Sequence, residues 1–130
     1  TRPMRKLLLA CAVIALSGCI LPPVNRAPDI PLETAQSVDV TRYVGLWYEI
    51  ARYPNFFERD CEGVTAEYAV RADGRIDVVN TCRKGAPDGP VESAEGVARI
   101  VDPQTNAKLK VRFGGPFEGD YWVLDRAEDY

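Results

Sequence analysis

The sequence predicts an all-β domain of antiparallel strands joined in chain order, either a sandwich or an up-and-down barrel. Three observations predict it. From Val38 onward the apolar residues recur with period two, not 3.6. The alternating runs are short, and turn chemistry separates them at Asp73-Gly74, Asp102-Pro103 and Gly114-Gly115-Pro116. One run, Lys108 to Phe113, sorts its faces cleanly, with Leu109, Val111 and Phe113 on one side and Lys108, Lys110 and Arg112 on the other. That is a strand with one dry and one wet face.

Six strands follow from this pattern. A short helical turn at Asp39 to Tyr43, capped by Asp39 or Thr41, precedes a first strand over Tyr43 to Arg52. The second alternates Val64, Ala66, Tyr68 and Val70 with Thr65, Glu67, Ala69 and Arg71. Asp73-Gly74 turns the chain, and Ile76, Val78 and Asn80 begin the third strand. The fourth runs from Val97 to Val101, the fifth from Lys108 to Phe113, and the sixth from Tyr121 to Leu124. With Asp73 and Gly74 as a two-residue turn, Cys82 faces Thr65.

Composition narrows function. The 130 residues are 46% hydrophobic and 27% charged, and none is histidine. That excludes a Ser-His-Asp or Cys-His machine and any His-ligated metal site, and nothing calls for a cofactor. The net charge is −3; three of the 16 cations (Arg2, Arg5, Lys6) lie in the first 18 residues, where there is no acid, leaving 13 cations against 19 anions beyond them. A remainder of net −6 argues against nucleic acid as a partner.

The N-terminal stretch reads as an address. Met4 marks the natural start, and Arg5 and Lys6 precede an apolar run from Leu7 to Leu16, ten residues and too short for a membrane span. A basic region, a short apolar core and small residues make a secretory signal; the competing reading is a buried helix, but no polar face interrupts the run. Leu16-Ser17-Gly18-Cys19 resembles the bacterial lipobox, which implies that Cys19 is lipidated and holds the protein on a membrane through its anchor. An incidental cysteine after a plain signal is the alternative. Ile20 stands where an inner-membrane retention signal has aspartate, so the outer membrane of a Gram-negative cell is expected. Pro22, Pro23, Pro28 and Pro31 then favour an extended tether. The expected organisation is residues 1–18 signal, 19–37 lipidated tether and 38–130 folded domain. In that reading Cys11 leaves with the signal.

Gly45-Leu46-Trp47-Tyr48-Glu49-Ile50-Ala51-Arg52 resembles the opening G-x-W motif of the lipocalins. The match continues through Tyr53 to Glu58, Val64 to Tyr68, Ser93 to Gly96 and Gly119 to Leu124. It is most similar to the bacterial outer-membrane lipoprotein branch, akin to apolipoprotein D. The resemblance implies an eight-stranded up-and-down β-barrel holding one small lipophilic ligand. Asp125 and Tyr130 match the family's second signature, at the end of its sixth strand, and the last two strands and C-terminal helix have no counterpart. From Val38 to Tyr130 there are 93 residues, against roughly 150 for a full domain of this kind. A C-terminally truncated barrel of about six strands is therefore expected, with two open edges.

The same resemblance suggests site residues. Gly45 and Trp47, like Asp125 and Tyr130, are structural motif positions, Trp47 being a plug for the closed end of the barrel before it is a ligand contact. Phe56 and Phe57 lie in the expected mouth loop, where they form a lid over the ligand or pack on the rim. If Ala66 and Tyr68 face inward, so do Val70, Val78, Asn80, Leu109, Val111, Phe113 and Tyr121. Ligand contacts are thus expected from Phe56, Phe57, Tyr68, Val78, Asn80, Val111, Phe113 and Tyr121. Tyr68, Asn80 and Tyr121 would orient the head group of a fatty acid or lysophospholipid. No Lys or Arg falls clearly on this parity. Cys61 and Cys82, in an oxidising compartment, are expected to form a disulfide, which requires a bulge or irregular start at Cys61. The competing function is a lipocalin-like enzyme on a lipophilic substrate, for which Glu49, Glu67 or a free Cys61 are the only reactive groups in view.

Replacing Cys19 by Ser should move the protein from the membrane fraction to the soluble periplasm and abolish palmitate labelling. Sedimentation with membranes and continued labelling would refute the lipobox reading.

Overall fold

The computed structural model describes residues 26–130. The expected signal at 1–18, Cys11, Cys19 and the first part of the tether lie outside the described residues. The chain forms α1 (Val40–Tyr43), β1 (Gly45–Tyr48), β2 (Cys61–Val70), β3 (Ile76–Lys84), β4 (Val91–Ile100), β5 (Lys108–Arg112) and β6 (Gly119–Trp122). The strands make one six-stranded sheet in the order β1-β2-β3-β4-β5-β6, each pair antiparallel. Of the two architectures the alternation allowed, this is the up-and-down one. The sheet is not closed, and β1 and β6 are its edges.

This topology sets the ends. The β1–β2, β3–β4 and β5–β6 connections share one end of the sheet, and the β2–β3 and β4–β5 turns share the other. The second end is closed by the chain that precedes the sheet. Asp39 caps α1, its carboxylate accepting from the Thr41 amide at 3.0 Å and the Thr41 hydroxyl at 2.6 Å. The Thr41 hydroxyl and the amides of the first turn hold the Asp39 carboxyl below its ordinary value. In the β4–β5 turn, Asp102 accepts from Gln104 N at 3.1 Å and Thr105 Oγ1 at 2.9 Å. That turn in turn holds Val38, whose amide donates to Thr105 O at 2.7 Å and whose carbonyl accepts from Asn106 Nδ2 at 3.2 Å.

Two apolar clusters result. Val38, Ala107 and Val123 are buried together at the closed end, with Tyr43 and Tyr121 packed on them. Ile76, Val78, Ala98 and Leu109 form the dry face of the sheet, covered by Val40, Tyr68, Ile100, Val111 and Tyr121. Fully burying one such aliphatic side chain contributes about 1.5–3 kcal/mol.

Several sequence expectations change at their boundaries. The β2–β3 turn is not the two-residue turn expected. Gly74 N donates to Arg71 O at 3.0 Å and Arg71 N to Arg75 O at 2.7 Å, so three residues, Ala72 to Gly74, form the loop. Gly74 takes φ +84°, the left-handed position such a loop needs. Cys82 consequently pairs with Val64, not Thr65. The first strand is shorter than expected, because Tyr43 belongs to α1 and pairing with β2 stops at Tyr48. The fourth starts earlier, at Val91, where both faces are exposed through Glu95 and no alternation marks it. The sixth starts at Gly119, paired with Val111, and is fastened by a 2.6 Å Lys110–Asp120 ion pair.

Cys61 and Cys82 are joined by a disulfide, with Cα atoms 5.4 Å apart. The expected irregularity is present: Cys61 pairs with Lys84 but Gly63 with Arg83, so the register shifts by one between them. The bond lies at the far end of the β2–β3 pair from its turn.

Converting both Cys61 and Cys82 to Ala should lower the unfolding free energy by about 3 kcal/mol, as expected for a loop of this length. Urea unfolding of the oxidised parent and the double variant would measure it. An unchanged midpoint would mean that the bond adds nothing the strand pairing does not already supply.

Candidate ligand-binding cavity

Residues from all six strands and α1 converge on a cavity of about 310 Å³ on the dry face of the sheet. That is at the small end of the range for small-molecule sites. Its wall takes Ala66 and Tyr68 from β2, Val78 and Asn80 from β3, Ala98 from β4, Leu109 and Val111 from β5, and Tyr121 from β6. Tyr43 and Trp47 reach it from α1 and β1. Val38 and Val123 are at the closed end, whereas Glu49, Glu58 and Phe113 lie toward the connections of the other end. The mouth is therefore at the end of the β1–β2, β3–β4 and β5–β6 connections.

The closed end carries a tyrosine cluster. Tyr121 Oη lies 2.9 Å from Tyr43 Oη and 3.0 Å from Tyr68 Oη. Three hydroxyls thus share two hydrogen bonds, and one O–H proton remains for a further acceptor. Burial raises all three phenols above the ordinary tyrosine value, Tyr43 and Tyr121 by the most, and their mutual contacts modulate it. At neutral pH they are uncharged donors in a dry site. Trp47 stacks on Tyr43 with ring centroids 4.7 Å apart and donates Nε1–H to the Tyr43 carbonyl at 2.8 Å. Its place beside the floor suits a plug that also forms part of the wall.

The mouth is charged differently. Arg52 pairs with Glu49 at 3.0 Å and with Glu58 at 3.3 Å, and donates to the carbonyls of Glu58 and Cys61 at 3.0 Å each. Burial raises the Glu49 carboxyl above its ordinary value; Arg52 opposes that and the Glu58 carboxylate reinforces it. Asn55 holds Glu58 at both ends, donating to its carboxylate at 2.7 Å and accepting from its amide at 3.0 Å.

The structure brings together six of the expected contacts, Tyr68, Val78, Asn80, Val111, Phe113 and Tyr121, in one lining. It does not bring Phe56 and Phe57 to it: they stack on each other at 4.0 Å in the β1–β2 loop and are exposed. Val70, on the same parity, lies at the end of β2, half-exposed and outside the lining. Gly45 opens β1 opposite Tyr68 with φ +106°. Tyr130 Oη accepts from the Asp39 amide at 2.6 Å, and the guanidinium groups of Arg42 and Arg126 lie over its ring, 4.7 and 5.0 Å from the centroid. Asp125 accepts from the Arg126 amide at 2.8 Å. Tyr43 and Glu58 are two of the lining residues that sequence reasoning passed over, with Tyr48, Ala98 and Asn106 among the others. Tyr43 is hidden by being assigned to a strand. Nothing local to Glu58 marks it, because a loop residue has no parity.

An up-and-down antiparallel sheet whose dry face forms an apolar, floor-plugged cavity is the architecture of a small-ligand-binding barrel. Residues 38–130 match the family described as a lipocalin-like domain, and the chain belongs to the lipocalins. It is 40% identical to the outer membrane lipoprotein Blc of Vibrio cholerae serotype O1, over 98% of this chain and 71% of that protein. It is 40% identical to the Blc protein of Escherichia coli K12, over 93% of this chain and 66% of the relative. Apolipoprotein D of Rattus norvegicus is 34% identical over 82% of this chain, which spans 53% of that protein's length.

Tyr121→Phe should remove the hub of the tyrosine cluster and cost about 1–2 kcal/mol at pH 7. The pH dependence has a definite sign. The folded state favours the neutral phenol, so this contribution is complete below the ordinary tyrosine value of about 10 and is lost as the pH rises beyond it. Urea unfolding near pH 7 and above pH 10 should show the parent losing stability more steeply than Tyr121→Phe. Parallel losses would mean that the cluster is not the source.

Proposed function

We propose that this chain binds a small lipophilic ligand, a fatty acid or lysophospholipid, and stores or carries it at the outer membrane, in envelope maintenance or stress. The observation that carries the reading is the composition of the cavity. Its walls are Ala66, Val78, Ala98, Leu109 and Val111, and its polar groups are few: the tyrosine cluster, Tyr48, Asn80, Asn106 and the two mouth glutamates. A dry wall with a few placed polar groups suits an acyl chain with one polar end. The one phenolic O–H left free in the cluster suits an acceptor oxygen at the polar end of such a ligand.

Localisation rests on two supports. The relatives from Vibrio cholerae and Escherichia coli are named outer membrane lipoproteins, and Leu16-Ser17-Gly18-Cys19 supplies a lipid attachment point in this chain. In this reading residues 1–18 are removed, Cys19 carries the anchor, and 19–37 tether the domain.

Binding is favoured over catalysis by the fate of the reactive groups. Cys61 is bonded to Cys82, so it offers no thiolate. Glu67 pairs with Leu46 and Val79 on the opposite parity from the lining residues. Glu49 is at the cavity beside Glu58, and Arg52 is ion-paired to both.

Val78→Trp should fill the cavity and weaken a fluorescent fatty-acid probe by an order of magnitude or more, about 1.4 kcal/mol. Val111→Trp, less buried on the same wall, is its companion should the first fail to fold, since overpacking can cost about 1–3 kcal/mol. Glu67→Trp, on the outer face, should leave binding nearly unchanged. Absence of probe binding by the parent would refute the proposal.

A further inference from the structure

One side chain is missing from the cavity wall. Tyr68 pairs with Val78 and Val78 with Gly96, so these positions make one inward row across β2, β3 and β4. Tyr68 and Val78 line the cavity, and Gly96 does not. On the other side, Ala98 pairs with Val111 and Val97 with Arg112, and one further step sets Phe113 opposite Gly96. A Cβ on Gly96 would stand 2.7 Å from Phe113 Cδ1 and 2.9 Å from its Cε1. The ring therefore lies on the glycine backbone, in the space a side chain would take, and the ring is what lines the cavity there.

The position of that ring controls the width of the cavity. Ala98, two residues deeper on β4, is 4% exposed, whereas Ala94, two residues toward the mouth, is exposed. Phe113 thus sits where the lining passes from dry to wet, and it is 44% exposed itself. Laid on Gly96, the ring is held against the wall; displaced from it, the ring would stand in the lumen. An aromatic cover over a strand glycine also steadies a sheet. Ligand selection, and not stability, is therefore the property that distinguishes a role in binding.

We propose that the Gly96–Phe113 pair sets the bore of the cavity, admitting one acyl chain and excluding two, and so selects single-chain over two-chain lipids. Two chains side by side need the space that the ring fills, in a cavity already at the small end of its class. This rests on the reading of the cavity as a lipid-binding site, and it adds the residues that choose among lipids.

Displacement of a fluorescent fatty acid from the full chain measures the selection. Lauroyl lysophosphatidylcholine and dihexanoylphosphatidylcholine share a head group and a total of acyl carbons, and differ in whether those carbons form one chain or two. The parent should prefer the single-chain lipid at least roughly tenfold, and Phe113→Ala should bring that ratio close to one. Gly96→Ala should push the ring into the lumen and weaken the single-chain lipid roughly tenfold, and adding Phe113→Ala should restore most of the loss. The Arg112 carbonyl oxygen, 2.8 Å from the same Cβ, also strains Gly96→Ala, so urea unfolding accompanies each binding measurement. Phe113→Ala adds no atom and carries the test should Gly96→Ala not fold. Equal affinity of the parent for the two lipids, or a ratio unchanged in Phe113→Ala, would overturn the proposal and leave the binding reading standing. A folded double variant that stays weak would overturn it too. If the parent binds neither the fatty acid nor either lipid, both readings fail.

Discussion

A single sheet with one dry face must have that face covered, and the rest of this structure depends on how the chain does it. Strand alternation places Ile76, Val78, Ala98 and Leu109 on one side, where water would otherwise meet them. The segment from Val38 to Tyr43 covers the lower part, held down by the Val38 amide donating to the Thr105 carbonyl and Asn106 donating to the Val38 carbonyl. Its position is also fixed from the C-terminal side, since Tyr130 binds the Asp39 amide and Arg126 donates to Ser37 O at 2.8 Å. Removing that cover would leave the floor of the cavity open and the tyrosine hydroxyls in water. The upper part of the dry face has no such cover, and there the concavity opens outward.

Polar chemistry in the cavity follows from the same geometry. A hydroxyl on a dry wall must find a partner, and Tyr43, Tyr68 and Tyr121 find one another across α1, β2 and β6. The charged groups are kept to the mouth, where Arg52 satisfies two carboxylates and two backbone carbonyls at once. The result is a gradient from neutral donors at the floor, through aliphatic wall, to charge at the rim. A ligand with one polar end and one apolar chain meets a different environment at each depth.

Much of this was legible in the sequence because period two survives wherever one face is wet. β5 was readable residue by residue, and the inward parity of Tyr68, Val78, Asn80, Val111 and Tyr121 could be carried from strand to strand. Legibility failed where the physics is not periodic. Val91 to Glu95 is exposed on both faces, so β4 began unseen. The three-residue turn at Ala72 to Gly74 depends on one left-handed glycine, and an Asp-Gly pair fits a two-residue turn equally well. The one-residue error changed the partner of Cys82 without reversing the faces of β3, because face is set by each strand's own alternation and not by its neighbour's register. Loop residues escaped altogether, so Glu58 was unanticipated and Phe56 and Phe57 were drawn nearer the cavity than they lie.

The bond between Cys61 and Cys82 makes a covalent ring of the β2–β3 hairpin, its two ends 21 positions apart in the chain. In an oxidised but unfolded molecule that ring persists, so the sheet's longest pairing begins with both ends already tethered. β1 and β4 then have a template on either side, and the sheet can grow outward from its second and third strands toward both edges. One crosslink, placed beside the register shift at Cys61, thus limits how far the two longest-paired strands can separate.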